Sequence, residues 1–227
     1  MQEMEFNLLR EPWVRVRLPD NTVREVSLTD ALVHAQEYVD LAGEMPTQDA
    51  AMLRLLLAVL FTVFSRVDEQ GGEAPLEDEE DALLRWEALW KLKRFPEQPV
   101  RAYLEQWQDR FWLFHPEQPF WQVPEAAIGT AYNAAKLNGE LSESSNKLRL
   151  FPLYAGAGKT ELTYAQAARW LLCVNGYDDT SAKPKTKGLP SVGAGWLGKL
   201  GLIQAVGENL FETLMLNLTL LQDGRKC

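Results

Sequence analysis

The chain has 227 residues, 46% of them hydrophobic and 24% charged, which is typical of a globular protein with a substantial core. Its formal net charge of −9 argues against a protein that coats nucleic acid nonspecifically, although a local basic site is compatible with it. The two cysteines give no sign of a disulfide framework. The N-terminus lacks a signal-peptide pattern, and the longest uncharged stretch, residues 55–65, is too short to span a bilayer. We therefore expect a cytoplasmic protein without a membrane partner.

The first half of the chain predicts a small β unit followed by helices. Residues 13–17 and 22–27 alternate in polarity around a Pro-Asp-Asn turn, as in a hairpin. Capping residues and apolar periodicity then predict several helices. These are a short helix capped by Thr29 and reaching Tyr38, a core helix over 48–66 capped by Thr47, a helix that follows the acidic run 77–81 and ends at Phe95-Pro96, and a helix over 99–109.

The second half mixes extended and helical segments. Residues 111–121 are dense in aromatics and proline and predict a strand and turn packed into the core. The capping-box pattern Thr163–Gln166 opens a helix to about Val174, and a last apolar helix is predicted over 208–221. The expected fold class is α+β, a single mostly helical domain over residues 1–227 with small antiparallel β elements and irregular loops.

One acid-free stretch, residues 180–207, differs from this acidic background. It contains four lysines and many glycines and prolines but no Asp or Glu. Lysines on a backbone that can approach a ligand closely suit an anionic polymer or a phosphate. A solvated, disordered insertion has the same composition. The lysines of this lysine segment are Lys183, Lys185, Lys187 and Lys199.

Two glycine motifs raise the alternative of a nucleotide-binding enzyme. Gly193–Gly198 matches G-x-G-x-x-G, but the residues before it are rich in lysine and proline, so no buried strand of a βαβ unit precedes it. Gly156–Thr160 ends like a phosphate-binding loop, yet Leu153 stands where the first glycine belongs. That loop could still present Lys159 and exposed amides to a phosphate, or it could be a plain turn before a helix.

The histidines and carboxylates predict no catalytic or metal site. His34 lies on a predicted helix without an acidic or cysteine partner at ligand spacing, and His115 precedes a proline in the aromatic segment. Structural roles for both are the simpler interpretation. No carboxylate pair suggests acid–base chemistry, so we expect neither catalysis nor a cofactor.

Several segments together resemble the CasA family, the large subunit of type I-E CRISPR Cascade. The N-terminal segment Phe6–Val16 carries the pattern F-N-L-L-x-E-P-W-V-x-V, and His115–Gln122 is similar to that family's H-x-x-x-P-F segment. Val206–Asn217, with the pattern V-G-x-N-L-x-x-T-L-x-L-N, completes a series whose order and spacing cover essentially the whole chain.

The resemblance implies a non-catalytic subunit of an RNA-guided surveillance complex. Its expected partners are the crRNA, the other Cascade subunits, double-stranded target DNA and a helicase–nuclease effector. Such subunits sit near the 5′ handle of the guide, test duplex DNA for the protospacer-adjacent motif and recruit the effector. This matches RNA-guided recognition in general, where protein reads a short duplex motif and base pairing reads the rest. A nucleotide-binding enzyme and a purely structural scaffold protein remain the alternatives.

The resemblance also implies two contact loops. The family's guide-handle loop matches residues 150–160, and its glycine loop, which approaches the motif in the minor groove, falls near residues 191–198 with Gly193 and Gly195 as best matches. The lysines of the lysine segment would then hold DNA phosphates. The expected guide or subunit contacts are Phe151, Leu153, Tyr154 and Lys159.

The sequence also departs from the family pattern. CasA-like proteins are longer and carry a C-terminal four-helix bundle, a lysine finger and a glutamine wedge, none of which has a counterpart here. Motif discrimination and strand opening are therefore less firmly implied than backbone binding and assembly.

Overall fold

The computed structural model describes residues 4–124, 131, 133–139, 154–177, 197 and 201–220. The chain divides into two compact units. The first comprises Met1–Asn7 and Arg110–Leu202, and the second comprises Leu8–Asp109 and Ile203–Cys227. The single domain over residues 1–227 stays a prediction.

The strands of the described residues form two small antiparallel sheets, and helices account for most of the regular structure around them. This confirms the expected α+β class. The strands are β1 (Glu5–Asn7), β2 (Val14–Arg17), β3 (Val23–Val26), β4 (Asp40–Leu41) and β5 (Trp112–Phe114). The helices are α1 (Leu28–Val33), α2 (Pro46–Phe64), α3 (Glu79–Leu92), α4 (Glu97–Gln106), α5 (Ala134–Leu137), α6 (Tyr164–Tyr177) and α7 (Leu210–Asn217).

The second unit contains the predicted hairpin. Strands β2 and β3 pair with Val14 opposite Val26, and β4 pairs with the other edge of β2. In the connecting turn, the Asp20 carboxylate accepts hydrogen bonds from the amide and hydroxyl of Thr22 at 2.9 and 2.6 Å. Asn21 takes the left-handed conformation, with φ 64°, which asparagine tolerates better than most residues. The turn chemistry of the sequence therefore forms as expected.

The core of the second unit is built around α2. Leu56, Leu60 and Phe64 on this helix are completely buried, as its apolar face predicts. The Phe95 ring lies 6.2 Å from the Phe64 ring and 4.8 Å from that of Phe211, between centroids. By length and composition α2 could cross a bilayer, but 56% of the tested stretch is buried inside the structure, as in the core helix of a globular protein.

The predicted N-caps of the first two helices are each wrong by two positions. The Ser27 hydroxyl, not Thr29, caps α1 by accepting the amide of Asp30 at 3.0 Å. Helix α2 begins at Pro46, because a proline at the first helical position needs no amide partner, and Thr47 is already inside the helix.

Side chains also cap the starts of α3 and α6, and the sequence predicted the cap of α6. The Asp78 side chain caps α3 by accepting from the Asp81 amide at 3.0 Å. At α6, the Gln166 side chain accepts from the Thr163 amide at 3.0 Å, and the Thr163 hydroxyl accepts from the Gln166 amide at 3.2 Å. This reciprocal pair is the capping box that the sequence predicts.

Aromatic residues hold the described part of the first unit together. β1 pairs with β5, and the Tyr164 ring meets the rings of Phe6 and Phe114 edge-on at 5.7 and 4.9 Å between centroids. The Phe120 amide donates to the Trp112 carbonyl at 2.8 Å, which closes the predicted strand and turn. Cys173 on α6 is buried.

Candidate nucleic-acid interface

Most of the predicted contact residues lie outside the described residues. These are Gly193, Gly195, Lys183, Lys185, Lys187, Lys199, Phe151 and Leu153. The structure describes Tyr154 and Lys159 of the guide-handle loop, both in the first unit. It also describes residues 201–207, which follow Lys199 and form the C-terminal end of the lysine segment; we call this end its exit.

The described end of the guide-handle loop is tied to α6 through Tyr154. The Trp170 indole donates a hydrogen bond from Nε1 to the Tyr154 hydroxyl at 2.8 Å. Trp170 is buried on α6, so this bond fixes the tyrosine ring against a helix. Tyr154 is half-buried and is therefore as much a support for the loop as a surface for a partner.

Residues Gly156–Lys159 form a single 3-10 turn, and three amides in and after it donate to carbonyls of the same turn. The Gly158 amide donates to the Ala155 carbonyl at 3.2 Å, and the Thr160 amide donates to Ala157 at 2.9 Å. The amide of Glu161 also donates to the Ala157 carbonyl at 2.9 Å. A phosphate-binding loop needs such amides aimed at the ligand, so these three do not serve that role.

Lys159 is the exposed cation of this turn. Its carbonyl accepts from the Asn138 side-chain amide at 3.3 Å, which connects the turn to the end of α5, while its side chain is exposed to solvent. Three residues separate Thr160 from the start of α6 at Tyr164, whereas the Lys-Thr pair of a phosphate-binding loop opens its helix directly. The arrangement favours a point charge offered to a polyanion over a nucleotide cradle.

The exit of the lysine segment is held by side chains of α7. The Asn217 amide nitrogen donates to the Ala205 carbonyl at 2.7 Å, and the Ala205 amide donates to the Asn217 Oδ1 at 3.1 Å. Asn217 also donates to the Thr213 carbonyl of its own helix at 2.7 Å. The Asn217 side chain therefore lies at the end of α7 and binds Ala205, in a segment whose residues 203–206 are exposed.

Gly207 is packed directly on the first turns of α7. Its amide donates to the Thr213 hydroxyl at 3.0 Å. A Cβ at Gly207 would meet the Glu212 Cβ and would lie 2.8 Å from the Glu212 carbonyl carbon and 2.9 Å from the Thr213 nitrogen. Only glycine fits this approach of one backbone to another. We call Gly207, Thr213 and Asn217 the α7 anchor.

The α7 anchor accounts for several positions of the Val206–Asn217 pattern. Asn209 is the N-cap of α7 and accepts the amide of Glu212 at 2.9 Å. The sequence predicted this helix over 208–221. The observed helix begins at Leu210, after its N-cap Asn209, and ends at Asn217. Sequence reasoning missed the anchor. The sequence did contain a signal for it, because a glycine precedes a capped helix that carries Thr213 and Asn217 on one face.

The histidines have structural partners. His34 was expected to lack an acidic partner, which is wrong: its Nδ1 lies 3.1 Å from Glu37 and its Nε2 lies 3.6 Å from Asp30. His115 accepts the amides of Glu117 and Gln118 through Nδ1, at 3.1 and 2.9 Å. Within the described residues, no group of three or more His, Cys, Asp or Glu side chains is arranged to hold a metal ion.

Comparison with known proteins gives consistent matches. The family model of CRISPR-associated protein Cse1 matches residues 7–226. The chain is 37% identical over 214 residues to a CRISPR-associated protein CasA/Cse1 of Thermus thermophilus, covering 94% of this chain and 39% of that protein. The crystal structure of Cse1 from Acidimicrobium ferrooxidans matches with a TM-score of 0.72 at 34% sequence identity. The match covers 96% of this chain and 39% of the Acidimicrobium ferrooxidans chain.

A chain of a CRISPR RNA-guided surveillance complex in a pre-nicking state has the same fold. Its TM-score is 0.74 at 23% identity, over 98% of this chain and 44% of that one. The present chain therefore spans less than half the length of the proteins it matches.

Proposed function

The chain belongs to the Cse1 (CasA) family of CRISPR-associated proteins, and on that premise we propose that it is a non-catalytic subunit of a type I-E RNA-guided surveillance complex. The observation that carries this proposal is the family match over residues 7–226, which includes both candidate contact loops. The fold shared with a chain of an RNA-guided surveillance complex supports it. In this role the chain takes part in target recognition and in recruiting a helicase–nuclease to target DNA.

The guide-handle loop would contact the crRNA 5′ handle and neighbouring subunits. The exposed Lys159 side chain, on a turn connected to α5 and preceded by a tyrosine tied to α6, supports this assignment. A cation on a fixed backbone binds a phosphate with little loss of conformational freedom. Phe151 and Leu153 would add apolar contacts to the same partner.

The lysine segment would contact the duplex that carries the protospacer-adjacent motif. Gly193 and Gly195 would approach the minor groove, where a relaxed sequence preference is expected from its degenerate pattern of donors and acceptors. Lys183, Lys185 and Lys187 would neutralise phosphates and position the duplex. Support comes from the absence of acidic residues and from the α7 anchor, which fixes the exit of the segment.

The salt dependence of DNA binding tests the role of these lysines. Each phosphate contact lowers the slope of log affinity against log salt by about 0.9, so replacing Lys183, Lys185 and Lys187 by Ala should flatten the slope by about 2.7 in the assembled complex. Lys91→Ala is the control, because this exposed lysine lies on α3 beside Glu87 and outside both loops. An unchanged slope in the triple variant would contradict the assignment.

A thermal-shift titration with NAD and ATP distinguishes the nucleotide-binding alternative. The proposed subunit should show no stabilisation, because its glycine motif serves DNA rather than a dinucleotide. Clear stabilisation by either nucleotide would favour the enzyme alternative.

A further inference from the structure

Two buried side chains outside the guide-handle loop form hydrogen bonds to it. Trp170 on α6 is 4% exposed, and its indole donates from Nε1 to the Tyr154 hydroxyl at 2.8 Å. Asn138, the C-cap of α5, is completely buried, and its side-chain amide donates to the Lys159 carbonyl at 3.3 Å. The paired residues are 16 and 21 positions apart in the chain, so these bonds do not follow from the local conformation of the loop.

The two bonds converge on the turn that carries Lys159. A Cβ at Gly158 would lie 3.7 Å from the Tyr154 Cβ and Cδ1, so the tyrosine packs beside the residue that precedes Lys159. Helix α6 therefore acts on the turn through Tyr154, whereas α5 acts on it directly through Asn138. The two helices also contact each other, and both lie in the first unit with the loop. One packed pair of helices thus holds the turn from two sides.

Burial alone explains why Trp170 and Asn138 need hydrogen-bond partners, because an unpaired buried donor costs free energy. It does not explain why both partners belong to one loop with an exposed lysine. The buried Trp13 of the second unit, by contrast, donates to the Leu8 carbonyl only five residues earlier, and Leu8 is itself completely buried. The choice of partners in the first unit therefore indicates a role at the surface.

We propose that Trp170 and Asn138 are positioning residues, which hold the backbone at Lys159 so that its side chain meets an RNA phosphate. This inference rests on the proposed function, which assigns the loop to the crRNA 5′ handle. Both side chains are buried, so they act through Tyr154 and Lys159 rather than by touching the RNA. Their contribution is to reduce the conformational freedom that the loop loses on binding.

Assembly of the labelled full chain with the remaining subunits and crRNA, without target DNA, tests this role. Trp170→Phe removes the indole N–H but keeps an aromatic ring in the core, and Asn138→Ala removes the side-chain amide. Each should weaken assembly about 3–10-fold, because the loop must then be ordered on binding. Trp13→Phe is the matched control, since it removes the same atoms from a buried tryptophan whose hydrogen bond is also 2.8 Å long. Its affinity should stay within about 2-fold of wild type.

Salt dependence separates a positioning residue from a residue that contacts RNA. Lys159→Ala removes a charge that neutralises a phosphate, so it should flatten the slope of log affinity against log salt by about 0.7, as for one contact to a single strand. Trp170→Phe and Asn138→Ala remove no charge. They should weaken assembly by the same factor at every salt concentration and leave the slope unchanged.

A double-mutant cycle tests the bond between Trp170 and Tyr154 itself. Tyr154→Phe removes only the hydroxyl of a half-buried side chain, so it keeps the test available if Trp170→Phe fails to fold. It should weaken assembly as Trp170→Phe does, and the double variant should bind no more weakly than Trp170→Phe alone. Effects of the two changes that simply add would show that the residues act separately, and would overturn the role of Trp170.

The remaining outcomes distinguish this inference from the proposed function. All variants are compared at a temperature at which each is fully folded. Equal loss of affinity in Trp13→Phe and Trp170→Phe would overturn the positioning role, because the effect would then come from lower stability in general. Wild-type affinity of Trp170→Phe and Asn138→Ala would also overturn it, and if Lys159→Ala still weakened assembly the guide-handle contact would stand. If Lys159→Ala changes neither affinity nor slope, the loop assignment of the proposed function fails, and the positioning role with it.

Discussion

Replacing Gly207 by alanine perturbs the α7 anchor at its tightest point. The added Cβ would meet the Glu212 Cβ and would lie 2.8 and 2.9 Å from backbone atoms of Glu212 and Thr213. Two of these three neighbours belong to the main chain of α7, so rotating a side chain cannot relieve the contact. Either Gly207 and the residues before it move away from the helix or the first turn of α7 shifts.

The expected cost follows from these two losses. Overpacking of a close contact costs about 1–3 kcal/mol. Moving Gly207 also breaks the hydrogen bond from its amide to the Thr213 hydroxyl, now 3.0 Å long, which contributes about 1 kcal/mol. We therefore expect Gly207→Ala to lower the free energy of unfolding by about 2–4 kcal/mol. For a chain of this length that corresponds to a melting temperature about 5–15 °C lower.

Urea and thermal unfolding measure the effect, with Gly201→Ala as the matched control. A Cβ at Gly201 meets nothing within 4 Å, so the same substitution six residues earlier should change the free energy of unfolding by less than about 1 kcal/mol. If Gly207→Ala unfolds together with Gly201→Ala, the close approach of Gly207 to α7 does not exist in solution and the anchor is wrong.

Two further substitutions concern the core of the second unit. Burial raises the pKa of Asp49 to about 6 from an unfolded value near 3.8, so the folded protein binds this proton more tightly. Below about pH 4 the carboxyl is protonated in both states and does not lower the free energy of unfolding. Above about pH 6 burial of the charged carboxylate lowers that free energy by at most about 3 kcal/mol, and by about 1–2 kcal/mol after solvent screening. Asp49→Asn, which keeps an acceptor for the Gly43 amide at 2.7 Å, should raise stability at pH 7 in urea unfolding but not at pH 4; lower stability at pH 7 would contradict this. Buried Arg85 donates to the carbonyls of Phe64, Val67 and Ala74. Arg85→Met should lower the free energy of unfolding by about 3–5 kcal/mol, because it leaves these carbonyl acceptors unpaired. The control Lys91→Met should change it little, and equal melting temperatures of the two variants would refute the structural role of Arg85.

Local patterns predicted the elements whose stabilising contacts lie nearby in sequence. The hairpin around Asp20 and the capping box at Thr163 depend on partners within three residues, and both form. The misplaced caps at Thr29 and Thr47 have a common cause. Both lie in runs with several capping or helix-starting residues. The structure uses an earlier residue of each run: Ser27 caps α1, and Pro46 is the first residue of α2.

Long-range contacts explain what sequence reasoning missed. The apolar pattern of the last helix continues through Leu218 and Leu220, but Asn217 bonds to Ala205, twelve residues earlier, and Leu218 is already extended. The G-K-T ending at Thr160 is equally misleading in isolation. The amides of Gly158, Thr160 and Glu161 donate to carbonyls of the same turn, which depends on backbone geometry that residue types do not fix.

The α7 anchor gives a physical meaning to a sequence pattern that served only as a family marker. Its glycine, threonine and asparagine act at one place, where residues 205–207 are bound to α7. A loop tied at its exit to a buried helix loses less conformational entropy when a ligand orders it than a loop free at that end.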